Sequence, residues 1–198
     1  MTRSKSYHHG NLKEALIQAG LEILEEKGLT GLTLRSCAIK AGASHTAPQN
    51  HFGNLAGLQT AIAARGYDRM YDRMMRDVDA DAPLDALRHA ALAGYVGFAQ
   101  DEPGLFELMF SRHRTKSDDP DLLNSAGRCF AALAKCSAGL DWSKSDAPNA
   151  TLRAQILHWC IVQGFAQLKI AGKLDKGAMK DVEIFDIFPD FTYRDDGL

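Results

Sequence analysis

Ser44-His45-Thr46 and, after Ala47-Pro48, Gln49-Asn50-His51 form a short row of side chains that donate and accept hydrogen bonds without carrying a fixed charge. The carboxamides of Gln49 and Asn50 can each pair bidentately with adenine in a major groove, and Ser and Thr hydroxyls reach any base edge. The row suits recognition rather than bond making. Catalytic constellations are missing: the chain has no GxGxxG, GxxxxGK[ST], HExxH or GxSxG. No pair of carboxylates sits in an apolar stretch that would raise a pKa for acid–base work. Cys129 and Cys136 share a helical face, but no His or acidic residue stands at ligand spacing with them, so packing is the better reading. Adjacent His8 and His9 do not share a helix face. Neither an enzyme nor a metal or other cofactor is expected.

Positioning the row takes short helices at fixed angles. Asn11 and Glu14 make a capping-box-like pair ahead of Leu12, Ala15, Leu16, Ala19, Ile23 and Leu24, which recur at helical spacing. Gly28 offers a positive-φ stop. Thr33 caps a second helix with Leu34, Cys37, Ala38 and Ala41 on one face, closed by Gly42. A third helix starts at Ser44 or Thr46 and ends near Phe52. Pro48 favours the Thr46 start, because a first-turn proline lacks only an N–H that has no partner. Three such helices with tight turns are helix-turn-helix geometry. Phe52 and Ala47 face inward, leaving His45, Thr46, Gln49, Asn50 and His51 for a groove.

The rest of the chain reads as helical too. A long helix spans about residues 55–78, another runs from Pro83 to about Gln100, and a third covers 105–112 behind Pro103. Asp119-Pro120 caps a helix with Leu122, Leu123, Ala126, Phe130 and Leu133 on one stripe. Residues 149–171 are apolar nearly all round, the pattern of a helix covered on two sides, one by its own core and one by a partner subunit. Residues 175–188 hold a ninth helix, and no alternating strand pattern is present. The fold class is all-α: a helix-turn-helix domain over 1–53 and a helical bundle over 54–198.

Composition sets the bounds. The 198 residues carry a net charge of −2, so no global positive field draws the chain to nucleic acid. Residues 1–54 nevertheless hold six basic and four acidic residues, against 17 and 21 in the remainder. The uncharged, largely apolar run over residues 154–168 is too short and too polar for a membrane span, and the N-terminus lacks the apolar core of a signal peptide. Four cysteines inside apolar helical patterns read as reduced core thiols of a cytoplasmic protein. Tyr95, Phe98, Phe106, Met109, Phe110, Phe130, Trp159 and Phe165 read one by one as core, yet together they can line an apolar pocket with His158 as its polar anchor.

Leu34-Arg35-x-x-Ala38-x-x-Ala41-Gly42-Ala43-Ser44, Ala47-Pro48 and His51-Phe52 resemble the DNA-binding domain of TetR-type transcriptional regulators. His9-Gly10-Asn11-Leu12, Tyr95-Val96-x-Phe98-Ala99, Glu102-Pro103-Gly104-Leu105-Phe106-x-Leu108-Met109-Phe110 and Trp159-x-x-Val162-Gln163-Gly164 are similar to the branch whose C-terminal domain is named for a Trp-His-Gly signature. The resemblance covers about residues 8–174. It implies an all-helical homodimeric repressor whose third helix reads a palindromic DNA operator and which a small molecule releases. By the same resemblance, DNA contacts fall to Arg3, Lys5, Thr33, Arg35, Ser44, His45, Thr46, Gln49, Asn50 and His51, and ligand contacts to Tyr95, Phe98, Phe106, Met109, Phe110, Phe130, His158, Trp159 and Val162. Gln49 stands where the family usually has a phosphate-contacting Tyr, Asn50 where a basic residue is common, Leu55 where a Lys opens helix four, and Gln163 in place of the signature His. Phosphate contacts set much of the affinity, so these departures support an alternative: a member with weakened DNA binding that acts as a ligand- or protein-binding module.

Overall fold

The computed structural model describes residues 9–76, 78–79 and 82–193, and for 9–11 the backbone alone. Its helices are α1 (His9–Gly31), α2 (Leu34–Lys40), α3 (Ala47–Phe52), α4 (Leu55–Met74), α5 (Leu84–Asp101), α6 (Pro103–Met109), α7 (Pro120–Cys136), α8 (Ala150–Ile170) and the single turn α9 (Ile184–Ile187). A 3-10 turn, Gly177–Met179, precedes α9. The fold is all-α.

Several boundaries differ from the sequence expectations. α1 begins at His9, so Asn11 lies inside the helix instead of capping it. Gly28 breaks the helix with φ 63°, and a further turn completes α1. α4 stops at Met74, four residues early, and α6 stops at Met109. The ninth helix shrinks to α9, because residues 175–183 carry too few apolar positions to bury a longer one. A two-residue antiparallel pair joins β1 (Leu140–Asp141) to β2 (Thr192–Tyr193), too short to leave an alternating pattern in sequence. The buried stripe of α7 is Leu122, Cys129, Ala132, Leu133 and Cys136, while Leu123 and Phe130 face outward. Cys37, Cys129 and Cys136 are buried free thiols, but Cys160 is exposed on α8.

The chain forms two compact units. The first comprises Met1–Tyr67 and Glu102–Ser125, the second Asp68–Asp101 and Ala126–Leu198. In the first, α1 packs on α2 and α6 around Leu16, Leu24, Leu58, Ile62 and Phe106, all nearly solvent-free. Lys40 of α2 pairs with Glu22 and Glu26 of α1 (3.2 and 2.7 Å), and Arg65 of α4 grips Glu14 bidentately (2.6 and 2.9 Å). In the second unit α5 packs along α8. Gly94 permits close approach of α5 to the end of α4: a Cβ there would lie 2.5 Å from the Arg73 carbonyl oxygen. Arg88 closes α7, its guanidinium donating to the carbonyls of Cys136 (2.8 Å) and Ala138 (3.1 Å) and lying 3.3 Å over the Tyr193 ring.

Candidate nucleic-acid interface

The site is built from α2 outward. Thr33 has an extended backbone, and its hydroxyl accepts from the Ser36 N–H (2.9 Å) while the Ser36 hydroxyl accepts from the Thr33 N–H (2.9 Å). This reciprocal cap satisfies two donors that the first turn leaves open. Thr33 is therefore engaged in holding α2. Ser36, which the sequence reading passed over, is the other half of the cap; its spacing three residues after Thr33 was the available signal. Arg35 is exposed beside them.

A tight turn follows. Gly42 takes φ 64°, and the Ala43 N–H donates to the Ala38 carbonyl (2.9 Å). Thr46 is the N-cap of α3 and Pro48 sits in its first turn, as the proline argument expects. Thr46 makes no side-chain cap bond; its hydroxyl lies 3.3 Å from that of Ser44. Ala47, Pro48 and Phe52 are buried and seat α3 on α1 and α2. Ser44, His45, Thr46, Gln49 and Asn50 are exposed, and His51 is half-buried with its ring 6.2 Å from that of Phe52. The structure thus gathers the polar row on one outward surface of the α2–α3 corner. Arg3 and Lys5 lie outside the described residues.

The far end of α3 is fixed by α4. A Cβ on Gly57 would lie 2.1 Å from the Phe52 carbonyl oxygen, so only glycine permits this approach. The Asn54 side chain accepts from the Gly57 N–H (3.0 Å) and caps α4. Leu55, Ala56 and Gly57 give that first turn no charge.

The expected ligand residues fall in different units. Phe106, Met109 and Phe110 belong to the first, where Phe106 and Phe110 pack with centroids 4.8 Å apart. Tyr67, absent from the sequence reading, donates its hydroxyl to the Met109 carbonyl (3.2 Å) and meets Phe110 edge to face. Tyr95, Phe98, Phe130, His158, Trp159 and Val162 belong to the second. Tyr95, Phe98, His158 and Val162 are buried, Trp159 is half-buried, and Phe130 is exposed with its ring edge-on to Trp159. The Tyr95 hydroxyl donates to the Gln163 amide oxygen and accepts from the Trp159 indole (3.4 Å).

His158 is enclosed by the rings of Phe188, Phe191 and Tyr193. Its Nδ1 faces the Ala154 carbonyl (2.9 Å), which only accepts, so Nδ1 carries the proton and Nε2 accepts from the Tyr193 hydroxyl (3.0 Å). Burial, reinforced by nearby Arg88, holds the imidazole below its usual pKa. Burial also raises the thiols, Cys37 and Cys136 to about 11 and Cys129 to about 12, so they stay protonated at neutral pH. Among the described residues no three His, Cys, Asp or Glu side chains are grouped to hold a metal ion. A cavity of about 110 Å³ lined by Ser137, Leu140, Ser145, Thr151 and Ala154 touches none of the expected ligand residues and is smaller than drug-sized sites.

Residues 87–188 match the family model described as tetracyclin repressor-like, C-terminal domain. Over 101 residues, half of the chain, the sequence is 28% identical to the uncharacterised HTH-type transcriptional regulator YobS of Bacillus subtilis (strain 168). The match spans about half (51%) of the length of that curated relative. The fold is similar to a protein of unknown function from Rhodococcus sp. RHA1, with TM-score 0.72 and 26% identity over 92% of this chain and 94% of that one. It is also similar to a TetR family transcription regulator from Marinobacter aquaeolei VT8, with TM-score 0.58 and 13% identity over 86% and 91%.

Proposed function

We propose that this chain, which belongs to the TetR family of transcriptional regulators, is a homodimeric cytoplasmic repressor that reads a palindromic operator and leaves it when a small apolar ligand binds. The observation that carries the reading is the α2–α3 corner. Buried Ala47, Pro48 and Phe52 hold α3 so that Thr46, Gln49 and Asn50 face outward together. Residues 1–53 act as the reader, with Arg35 and the polar row making the contacts, and residues 54–198 sense and dimerise. No described helix is long and apolar enough to cross a membrane.

Dimerisation is supported by one face of the second unit. Leu152 (46% exposed), Ile156 (43%) and Leu168 (47%) recur along α8 with Cys160 and Gly164 between them, and Phe130 (39%) lies beside them on α7. Exposed apolar side chains in a continuous stripe mark an interface. A dimer that engages both half-sites of a palindrome needs its two α3 helices about 34–36 Å apart, one DNA turn. The ligand acts by stabilising the arrangement that it binds better, through its differential affinity for the two states.

The test is a mobility-shift titration with DNA flanking the protein's own coding region, with competitor DNA and at two salt concentrations. Competitor-resistant binding that weakens with salt is expected. Weak binding equal on all DNA would refute operator reading and favour a ligand- or protein-binding module.

A further inference from the structure

The loop between α6 and α7 reads Ser111-Arg112-His113-Arg114-Thr115-Lys116-Ser117, three fixed positive charges in five positions. It belongs to the same compact unit as α2 and α3. It is pinned to α4 at both ends. Tyr67 holds the Met109 carbonyl at its start (3.2 Å), and the Lys116 N–H donates to the Thr60 hydroxyl (2.9 Å) near its end. Thr60 is 1% exposed, and its hydroxyl donates in turn to the Ala56 carbonyl (2.6 Å).

That anchor fixes the backbone from which the Lys116 side chain reaches. Its Nζ is 3.4 Å from the point a Cβ on Gly57 would occupy, and the same point is 2.1 Å from the Phe52 carbonyl oxygen. The ammonium therefore stands at the corner where α3 ends and α4 begins. Leu55, Ala56 and Gly57 bring no charge to this corner. Lys116 is exposed, and neither it, Arg112 nor Arg114 forms an ion pair among the described residues. Lys40 and Arg65 of the same unit, by contrast, are neutralised by Glu22, Glu26 and Glu14. Of the acidic residues that close the loop, Asp119 is committed to the first turn of α7 (3.1 Å to the N–H groups of Asp121 and Leu122), and Asp118 is exposed beyond Lys116.

We infer that the α6–α7 loop, led by Lys116, is a second DNA-contacting element that grips the phosphodiester backbone next to the segment met by α3. The inference rests on the DNA-reading proposal above and adds a contact outside the helix-turn-helix. Phosphate contacts of this kind carry no sequence information; they set register and salt dependence. Each lost contact lowers the salt slope of log K by about 0.9 and the affinity near 0.15 M salt by roughly fivefold. In a dimer the effect applies twice.

The experiment is fluorescence anisotropy of the full chain on a labelled duplex from the DNA flanking its coding region, across a salt series. Lys116→Gln is expected to weaken binding by roughly 5- to 30-fold and flatten the slope by about 1 to 2, and Arg112→Gln with Arg114→Gln to flatten it further. Lys116→Arg keeps charge and anchor, so it should retain the slope. An affinity loss with an unchanged slope would overturn the inference, since it would come from displaced structure. Unchanged binding by the triple variant, with Arg35→Ala and Gln49→Ala both weakened, would overturn the loop contact and leave operator reading standing. No competitor-resistant binding by the parent protein would overturn both.

Discussion

Removing one oxygen from Tyr95 tests whether the Trp159–Gln163 segment is held from α5. The Tyr95 side chain is 1% exposed, and its hydroxyl links the Gln163 amide to the Trp159 indole on α8. Tyr95→Phe keeps the ring packing and leaves the amide oxygen and the indole N–H without this partner. A buried polar group stripped of its partner costs about 1–3 kcal/mol. Gln163 and Trp159 are half-buried, so water can partly replace the hydroxyl, and the cost should fall at about 1–2 kcal/mol. For a chain of this length that lowers Tm by about 2–8 °C. Urea unfolding followed by far-UV circular dichroism reads the change, at one fixed protein concentration because association stabilises the folded state. Gln163→Met retains length without the amide, and the double variant completes a cycle. Coupling of about 0.5–1.5 kcal/mol is expected, with Gln163→His close to the parent because a ring nitrogen can take the same hydrogen bond. Zero coupling, or a Tyr95→Phe variant as stable as the parent, would refute the bridging role.

Two further outcomes follow from the second unit. A Cβ on Gly164 would meet nothing within 4 Å, so Gly164→Trp should not destabilise a protomer, yet it should convert dimer to monomer in sedimentation velocity if a second copy covers α8; a dimer of unchanged affinity would contradict that interface. His158 has a folded-state pKa below its unfolded value, so the unfolded chain binds the extra proton and stability is lost as pH falls through about 6.5, by at most about 1.4 kcal/mol per pH unit; the loss should shrink in His158→Gln, and equal pH dependence of the two melting curves would contradict it.

How much of this was legible in the sequence depended on whether the governing contact was local. Thr33, Gly42 and Pro48 act through neighbouring backbone, and each marked its helix boundary correctly. Asn11 failed as a cap because α1 continues back to His9, and nothing within four residues announces that extension. α7 shows the limit of periodicity. Phe130 and Leu133 are only three residues apart, so a stripe through both looks sound, yet the core takes Cys129, Ala132, Leu133 and Cys136 and leaves Phe130 outside. Which edge of a wide apolar stripe is buried is decided by neighbouring helices, and the stripe itself is silent on it. Likewise α8 reads as apolar all round, and only the packed structure separates the side buried beside α5 from the side that carries Leu152, Ile156 and Leu168.

The same distinction separates the two kinds of candidate DNA contact. The polar row is contiguous in sequence, and its exposure follows from the few buried residues beside it, so reasoning along the chain finds it. Lys116 lies more than sixty residues beyond α3 and reaches the α3–α4 corner only because Thr60, buried in α4, fixes its backbone. Three basic residues within five positions of a surface loop are ordinary by themselves, and charge runs usually face solvent. What distinguishes this one is the combination of a buried anchor, an ammonium at the uncharged start of α4, and the absence of a paired carboxylate for Arg112, Arg114 or Lys116 among the described residues. An affinity that depends on such a loop need not be weak where Gln49 and Leu55 contribute no charge, because phosphate contacts act through their number and position more than through the element that carries them.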